Sequence, residues 1–162
     1  MSSIYLLLGG NQGNRAQILS QAKAKLEEEL GPIMAYSPLY QTAAWGKTDQ
    51  ADFLNQAIHI DTPYSPMESL NIIHQIEDIL GRKRTEHWGQ RTIDIDILLY
   101  EEQVVQNTRL VVPHPELHNR RFALIPLSAI AADIVHPILN KAIGQLLLDC
   151  PDKLEVFLQK DP

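Results

Sequence analysis

The segment Arg91-Thr92-Ile93-Asp94-Ile95-Asp96-Ile97-Leu98-Leu99 alternates isoleucine with aspartate at the period of a β-strand. Ile93, Ile95 and Ile97 then face a core, and Asp94 and Asp96 share the opposite face. Carboxylates two residues apart on a strand sit roughly 6.6 Å apart along it, so they can converge on two hard cations about 3.5–4 Å from one another. An oxygen-only donor set of this kind favours magnesium over zinc. Alternation alone also describes an ordinary amphipathic strand whose wet face is acidic.

The preceding residues separate these readings. Arg82-Lys83-Arg84-Thr85-Glu86-His87-Trp88-Gly89-Gln90-Arg91 holds four of the fourteen Lys and Arg residues of an acidic chain. Carboxylates beside arginines suit a magnesium polyphosphate, because the cation bridges phosphate oxygens while guanidinium groups take up charge that develops in phosphoryl-type transfer. Cations that follow a helix also meet its C-terminus favourably, which by itself accounts for Arg82 and Arg84. It does not account for Trp88, an aromatic residue in a polar stretch between Gly81 and Gly89, which reads as part of a lid over substrate. Arg91 falls on the isoleucine side if the strand is extended back to it, so a catalytic Arg91 requires an intervening turn or bulge.

Other motifs carry less. Gly46-Lys47-Thr48 ends like a P-loop, but Gln41 stands where the first glycine belongs and no apolar helix follows. Gly9-Gly10-Asn11-Gln12-Gly13 lacks the dinucleotide glycine spacing. His114 and His118 are spaced as helical zinc ligands, but Pro115 disfavours a helix at His114, so a zinc site is not expected. His114 reads either as a phosphate donor or as a histidine in a polar turn.

These residues need elements to hold them. Ile4 to Leu8 is a buried strand closed by a turn at Gly9-Gly10-Asn11; Asn14 caps a helix from Arg15 to Leu30, which ends at Gly31-Pro32. Ile33 to Gln41 and Phe53 to Asp61 read as two strands around a long polar loop, residues 42–52, of a length that usually serves function. Ser65-Pro66-Met67-Glu68 opens a helix that runs to about Leu80 and stops at Gly81. Ile93 to Tyr100 is a strand, Val104-Val105 and Leu110 to Val112 form a small hairpin, and Arg121 to Ile130 and Ile143 to Leu148 are helices. Strand-helix-strand-strand-helix-strand with additions predicts an α+β, ferredoxin-like fold, helices packed on one face of an antiparallel sheet.

At 162 residues and 44% hydrophobic composition the chain suits one domain spanning 1–162. A net charge of −6 argues against a nucleic-acid partner. The single cysteine, Cys150, excludes an internal disulfide and points to a reducing, cytoplasmic setting. No apolar run approaches the ~20 residues of a membrane span, and no secretory leader is read at the start.

With these residues in place, the segment Arg82 to Leu99 closely resembles the signature of the hydroxymethyl-dihydropterin pyrophosphokinase family. The resemblance extends to Leu8-Gly9-Gly10-Asn11, Tyr40 to Gly46, Asp52-Phe53-Leu54-Asn55, Glu77 with Gly81-Arg82, and Val112-Pro113-His114 through Asn119-Arg120-Arg121-Phe122. It implies transfer of pyrophosphate from ATP to 6-hydroxymethyl-7,8-dihydropterin in folate biosynthesis, by a monomer. It further implies that Asp94 and Asp96 hold two Mg2+ ions and that Arg82 and Arg91 steady the transferring phosphates.

By the same resemblance, Phe53 and Phe122 sandwich the pterin and Asn55 bonds its edge, while Thr42 with the backbone through Ala44 and Trp45 reads its other polar groups. His114 and Arg120 meet the triphosphate, Ile97 the adenine, and Trp88, Glu77 and Arg109 belong near the nucleotide. Two departures stand out: Ala43-Ala44 replaces a usual pair of prolines, and Gln90 a usual proline. The first leaves the pterin loop less rigid before binding.

Overall fold

The computed structural model describes residues 1–10, 13–42, 52–81 and 93–159. Its main sheet is antiparallel, with β1 (Ser2–Gly10) and β4 (Phe53–Thr62) paired at the centre and β5 (Asp94–Tyr100) on the far side of β1. On the other side of β4 lie β2 (Ile33–Tyr36) and β3 (Tyr40–Thr42), two lengths of one edge. The edge expected as a single strand is broken because Pro38 has no N–H to give to a ladder. Ser37 bridges the break: its N–H donates to the Ala57 carbonyl at 2.9 Å and its hydroxyl accepts from Ala57 N at 2.9 Å.

Helices α1 (Arg15–Glu29) and α2 (Pro66–Ile79) cover one face. Asn14 caps α1 by accepting from Gln17 N, and Ser65 with Glu68 forms a reciprocal capping box on α2. Leu19, Ala22 and Leu26 of α1 and Leu70, Ile73 and Ile76 of α2 pack onto Ile4, Leu6 and Leu8 and onto Ile93, Ile95 and Ile97, the isoleucine side of β5. This is the βαββαβ arrangement expected of a ferredoxin-like fold.

The second face differs from expectation, because it too carries helices. α3 (Arg121–Ala131) and α4 (Ile143–Asp149) close part of it, with Leu124, Leu127 and Ile143 buried against Tyr5, Leu7, Ala57, Leu98 and Leu99. A short hairpin, β6 (Val105–Gln106) with β7 (Val111–Val112), follows β5, and β8 (Val156–Leu158) adds a strand to β3 that the sequence did not announce. Its period is not legible in three residues of which Phe157 and Leu158 are exposed.

Candidate active site

Asp94 and Asp96 lie on the second face, as their parity requires, Asp94 half-buried and Asp96 exposed. Antiparallel register sets their neighbours: Asp94 is opposite Gly9 and Asp96 opposite Leu7, and on the other side of β1 Gly9 is opposite Asn55, which in turn faces Tyr40. Gly9 and Gly10, expected to turn, continue the strand instead, because they keep full register with Asn55 and Leu54. The requirement for glycine at position 9 is steric: a Cβ there would lie 2.6 Å from Asn55 Oδ1. The row therefore runs carboxylate, nothing, amide, and the missing side chain opens a hollow in the sheet.

That hollow is a cleft of about 130 Å³ walled by Thr42, Phe53, Asn55 and Phe122 and floored by Leu7 and Gly9. Asp94, Asp96 and Leu154 complete it. It suits a flat bicyclic ring and is too small for a nucleoside triphosphate. Asn55 is buried, and so is Thr42, whose hydroxyl has no hydrogen-bond partner among the described residues. An unpaired buried hydroxyl costs about 1–3 kcal/mol, which the polar edge of a bound ring relieves. Gln41 Nε2 donates to Asp52 Oδ2 at 2.7 Å, and Arg15 donates to the Asp52 carbonyl, which ties together the two ends bracketing residues 43–51.

Across the open edge of β5 lies a second cavity, of about 360 Å³, which takes in Glu77, Ile97, Arg109 and His114 and again Asp96. Four residues expected near the nucleotide are thus brought together. Glu77 is buried and its Oε2 accepts from Ile95 N at 2.9 Å, so α2 holds the backbone between the two aspartates. Arg109 is braced by its Nη2 donating to Asn71 Oδ1 at 2.7 Å.

A shift of register between Tyr5 and Leu6 leaves Leu98 of β5 as a bulge, and the Leu98 carbonyl accepts from His114 N at 3.0 Å. His114 is thereby fixed near Asp96. Burial pushes its imidazole below the ordinary histidine range; Asp96 pulls it back up, Arg120 lowers it further and Glu116 raises it. Its Nδ1 accepts from Glu116 N at 3.1 Å, so the neutral ring carries its proton on Nε2, ready to donate. Arg120 acts on His114 of the larger cavity and lies by Phe122 of the smaller, its guanidinium carbon 5.7 Å from the Phe122 ring centroid.

Ala44, Trp45, Arg82, Trp88 and Arg91 lie outside the described residues, as do the departures at Ala43 and Gln90. Among the described residues no group of three or more His, Cys, Asp or Glu side chains is placed to cage a metal, and no helix is long and apolar enough to cross a membrane. The oxygen donors of Asp94 and Asp96 are of the type that magnesium takes, where one or two carboxylates share the ion with substrate phosphates and water. Sequence reasoning assigned no role to Gly9 or Leu154. A glycine inside a strand was the available signal for the first; nothing local marked the second.

The model of the 7,8-dihydro-6-hydroxymethylpterin-pyrophosphokinase family matches residues 5–132. The chain is 42% identical to the 2-amino-4-hydroxy-6-hydroxymethyldihydropteridine pyrophosphokinase of Aquifex aeolicus over 145 residues, 90% of each chain. It is 41% identical to the enzyme of the same name from Bacillus subtilis over 131 residues, 80% of this chain and 78% of that one. Among solved structures, a Plasmodium falciparum HPPK-DHPS triple mutant shares the fold with a TM-score of 0.76 at 18% identity; the match covers 91% of this chain and 43% of that one.

Proposed function

This chain belongs to the 7,8-dihydro-6-hydroxymethylpterin-pyrophosphokinase family, and from that premise we propose that it transfers the terminal pyrophosphate of ATP to 6-hydroxymethyl-7,8-dihydropterin. The products are AMP and the pterin pyrophosphate, a step toward folate. The observation that carries this reading is Asp96, which stands on the wall of both cavities and so at the only meeting point that two separately bound substrates share among the described residues.

The pterin lies in the smaller cleft between Phe53 and Phe122, with Asn55 and the Thr42 hydroxyl on its polar edge; reading of its other polar groups by Ala44 and Trp45 rests on the family resemblance alone. ATP occupies the larger cavity, its base by Ile97 and its phosphates toward His114 Nε2, Arg120 and Arg109. Glu77 holds the β5 backbone so that both carboxylates keep their aim.

Asp94 and Asp96 are the residues that would hold two Mg2+ ions, which supply charge neutralisation on the phosphates and orientation of the attacking oxygen. The hydroxymethyl oxygen attacks the β-phosphorus in line, the bond from that phosphorus to the α-bridging oxygen breaks, and the hydroxyl proton leaves to solvent. Arg82 and Arg91 take up the charge that shifts during transfer, and Trp88 belongs to the segment that excludes water. The buried free thiol of Cys150 suits work in a reducing cytoplasm.

Incubation with magnesium, ATP and 6-hydroxymethyl-7,8-dihydropterin should yield AMP and the pterin pyrophosphate in equal amounts. ADP in place of AMP would overturn pyrophosphoryl transfer, and tight binding without either product would leave a non-catalytic pterin- and nucleotide-binding protein on the same fold.

A further inference from the structure

Phe122 stands on the first turn of α3, which the Arg120 carbonyl closes by accepting from Ala123 N at 3.1 Å and Leu124 N at 3.0 Å but which has no side-chain cap from its own helix. No side chain of the N-cap residue, Arg120, bonds back to it, and Pro126 lacks the N–H that would reach the Phe122 carbonyl one turn earlier. The missing tether comes from far along the chain. Asp152 Oδ2 accepts from Arg121 N at 3.1 Å, and its other oxygen accepts from Leu154 N at 2.9 Å. A carboxylate on the first free N–H of a helix supplies both a cap and a favourable charge for the helix dipole.

The same carboxylate therefore orients Leu154, which lines the smaller cleft opposite the sheet. Beyond it β8 pairs with β3, Val156 opposite Thr42 and Leu158 opposite Tyr40, and Gln159 N donates to the Leu39 carbonyl at 2.9 Å. Three walls of the cleft, Thr42, Phe122 and Leu154, are thus tied to one segment, residues 151–159. The family match stops at residue 132, short of all of it.

We propose that residues 151–159 are a working part of the pterin site, with Leu154 as a wall that contacts the ring and Asp152 as a positioning residue that acts through Phe122. This rests on the pterin reading of the smaller cleft. A purely structural tail would stabilise the fold without distinguishing one substrate from the other. A segment that shapes the cleft must act on pterin and spare ATP, whose cavity lies across β5.

The test is calorimetric titration of the full chain, with magnesium and α,β-methylene-ATP, using Asp152→Ala, Asp152→Asn and Leu154→Ala. Asp152→Ala and Leu154→Ala should each raise the pterin Kd about three- to tenfold, while the Kd for the ATP analogue stays within about twofold of wild type. Asp152→Asn keeps only one of the two acceptor contacts, because its single amide oxygen can replace one carboxylate oxygen and its NH2 cannot accept from a backbone N–H, and should raise the pterin Kd by less than Asp152→Ala does. Should Asp152→Ala leave too little folded protein, Leu154→Trp at that half-exposed position narrows the cleft and should remove measurable pterin binding alone. Unchanged pterin affinity in these variants, or equal weakening of both ligands, would overturn the inference. Wild-type protein that binds no pterin would instead overturn the function proposed above, and this inference with it.

Discussion

The second face of the sheet is finished in two ways along β1. At one end Tyr5 lies between Leu99 and His59, its ring stacked on the imidazole at 4.5 Å between centroids, in a layer closed by Leu124, Leu127 and Ile143. At the other end Gly9 lies between Asp94 and Asn55 with no side chain at all, and the cleft opens. Both rows are paired on each side of β1, with the bulge at Leu98 between them, so the difference between the rows is made by side chains. The filled end lends rigidity to strands whose other ends must hold an amide and two carboxylates in place while leaving room for a ring.

The contrast is broken most severely by removing charge from the open end. Asp96→Asn should lower the rate of AMP formation by about a thousandfold at saturating magnesium. Because Asp96 is exposed, the thermal midpoint should move little. Near-normal turnover would detach the carboxylates from the chemistry.

Emptying the filled end is the converse experiment. Tyr5→Gly copies the open row into the buried one, and should destabilise the protein by about 3 kcal/mol in urea titration, through lost packing and the cavity left behind. It should create no second pterin site, since no carboxylate or amide faces that position from β5 or β4 on this row. A new stoichiometric pterin site there would show that a hollow alone suffices.

Filling the open end is gentler. Gly9→Ala forces the Asn55 side chain to move, so the pterin Kd should rise about tenfold while stability falls by less than about 1 kcal/mol. Equal loss of ATP-analogue binding would show that the cleft is not specific to one substrate.

The smallest effect is a pH dependence at the filled end. Burial lowers the His59 pKa against the opposing pull of Asp61 and Glu101, so the folded state binds its proton less readily than the unfolded chain. Its stabilising contribution is fully present above about pH 6.5 and is lost as pH falls through the lowered folded value. His59→Phe, which keeps an aromatic ring against Tyr5, should show a shallower acid loss of stability in urea titrations between pH 7 and 5. An unchanged slope would assign the acid sensitivity to other groups, among them His136, whose Nδ1 accepts from Ile138 N and Leu139 N and whose pKa burial also lowers.

Much of this molecule is local in origin and was therefore readable in one dimension. The alternation through Asp94 and Asp96 specifies a strand and a shared face by pleat geometry alone, and Asn14 and Ser65 with Glu68 specify where helices begin by short-range hydrogen bonds. What only the tertiary structure decided depends on register between segments distant in sequence. Nothing near Gly9 tells that Asn55 and Asp94 lie on either side of it, so its role as the floor of a cleft emerges only when β4 and β5 pair with β1. The bulge at Leu98 that seats His114 beside Asp96, and the reach of Asp152 across 31 residues of chain to Arg121, arise in the same way, from contacts whose partners no local pattern names.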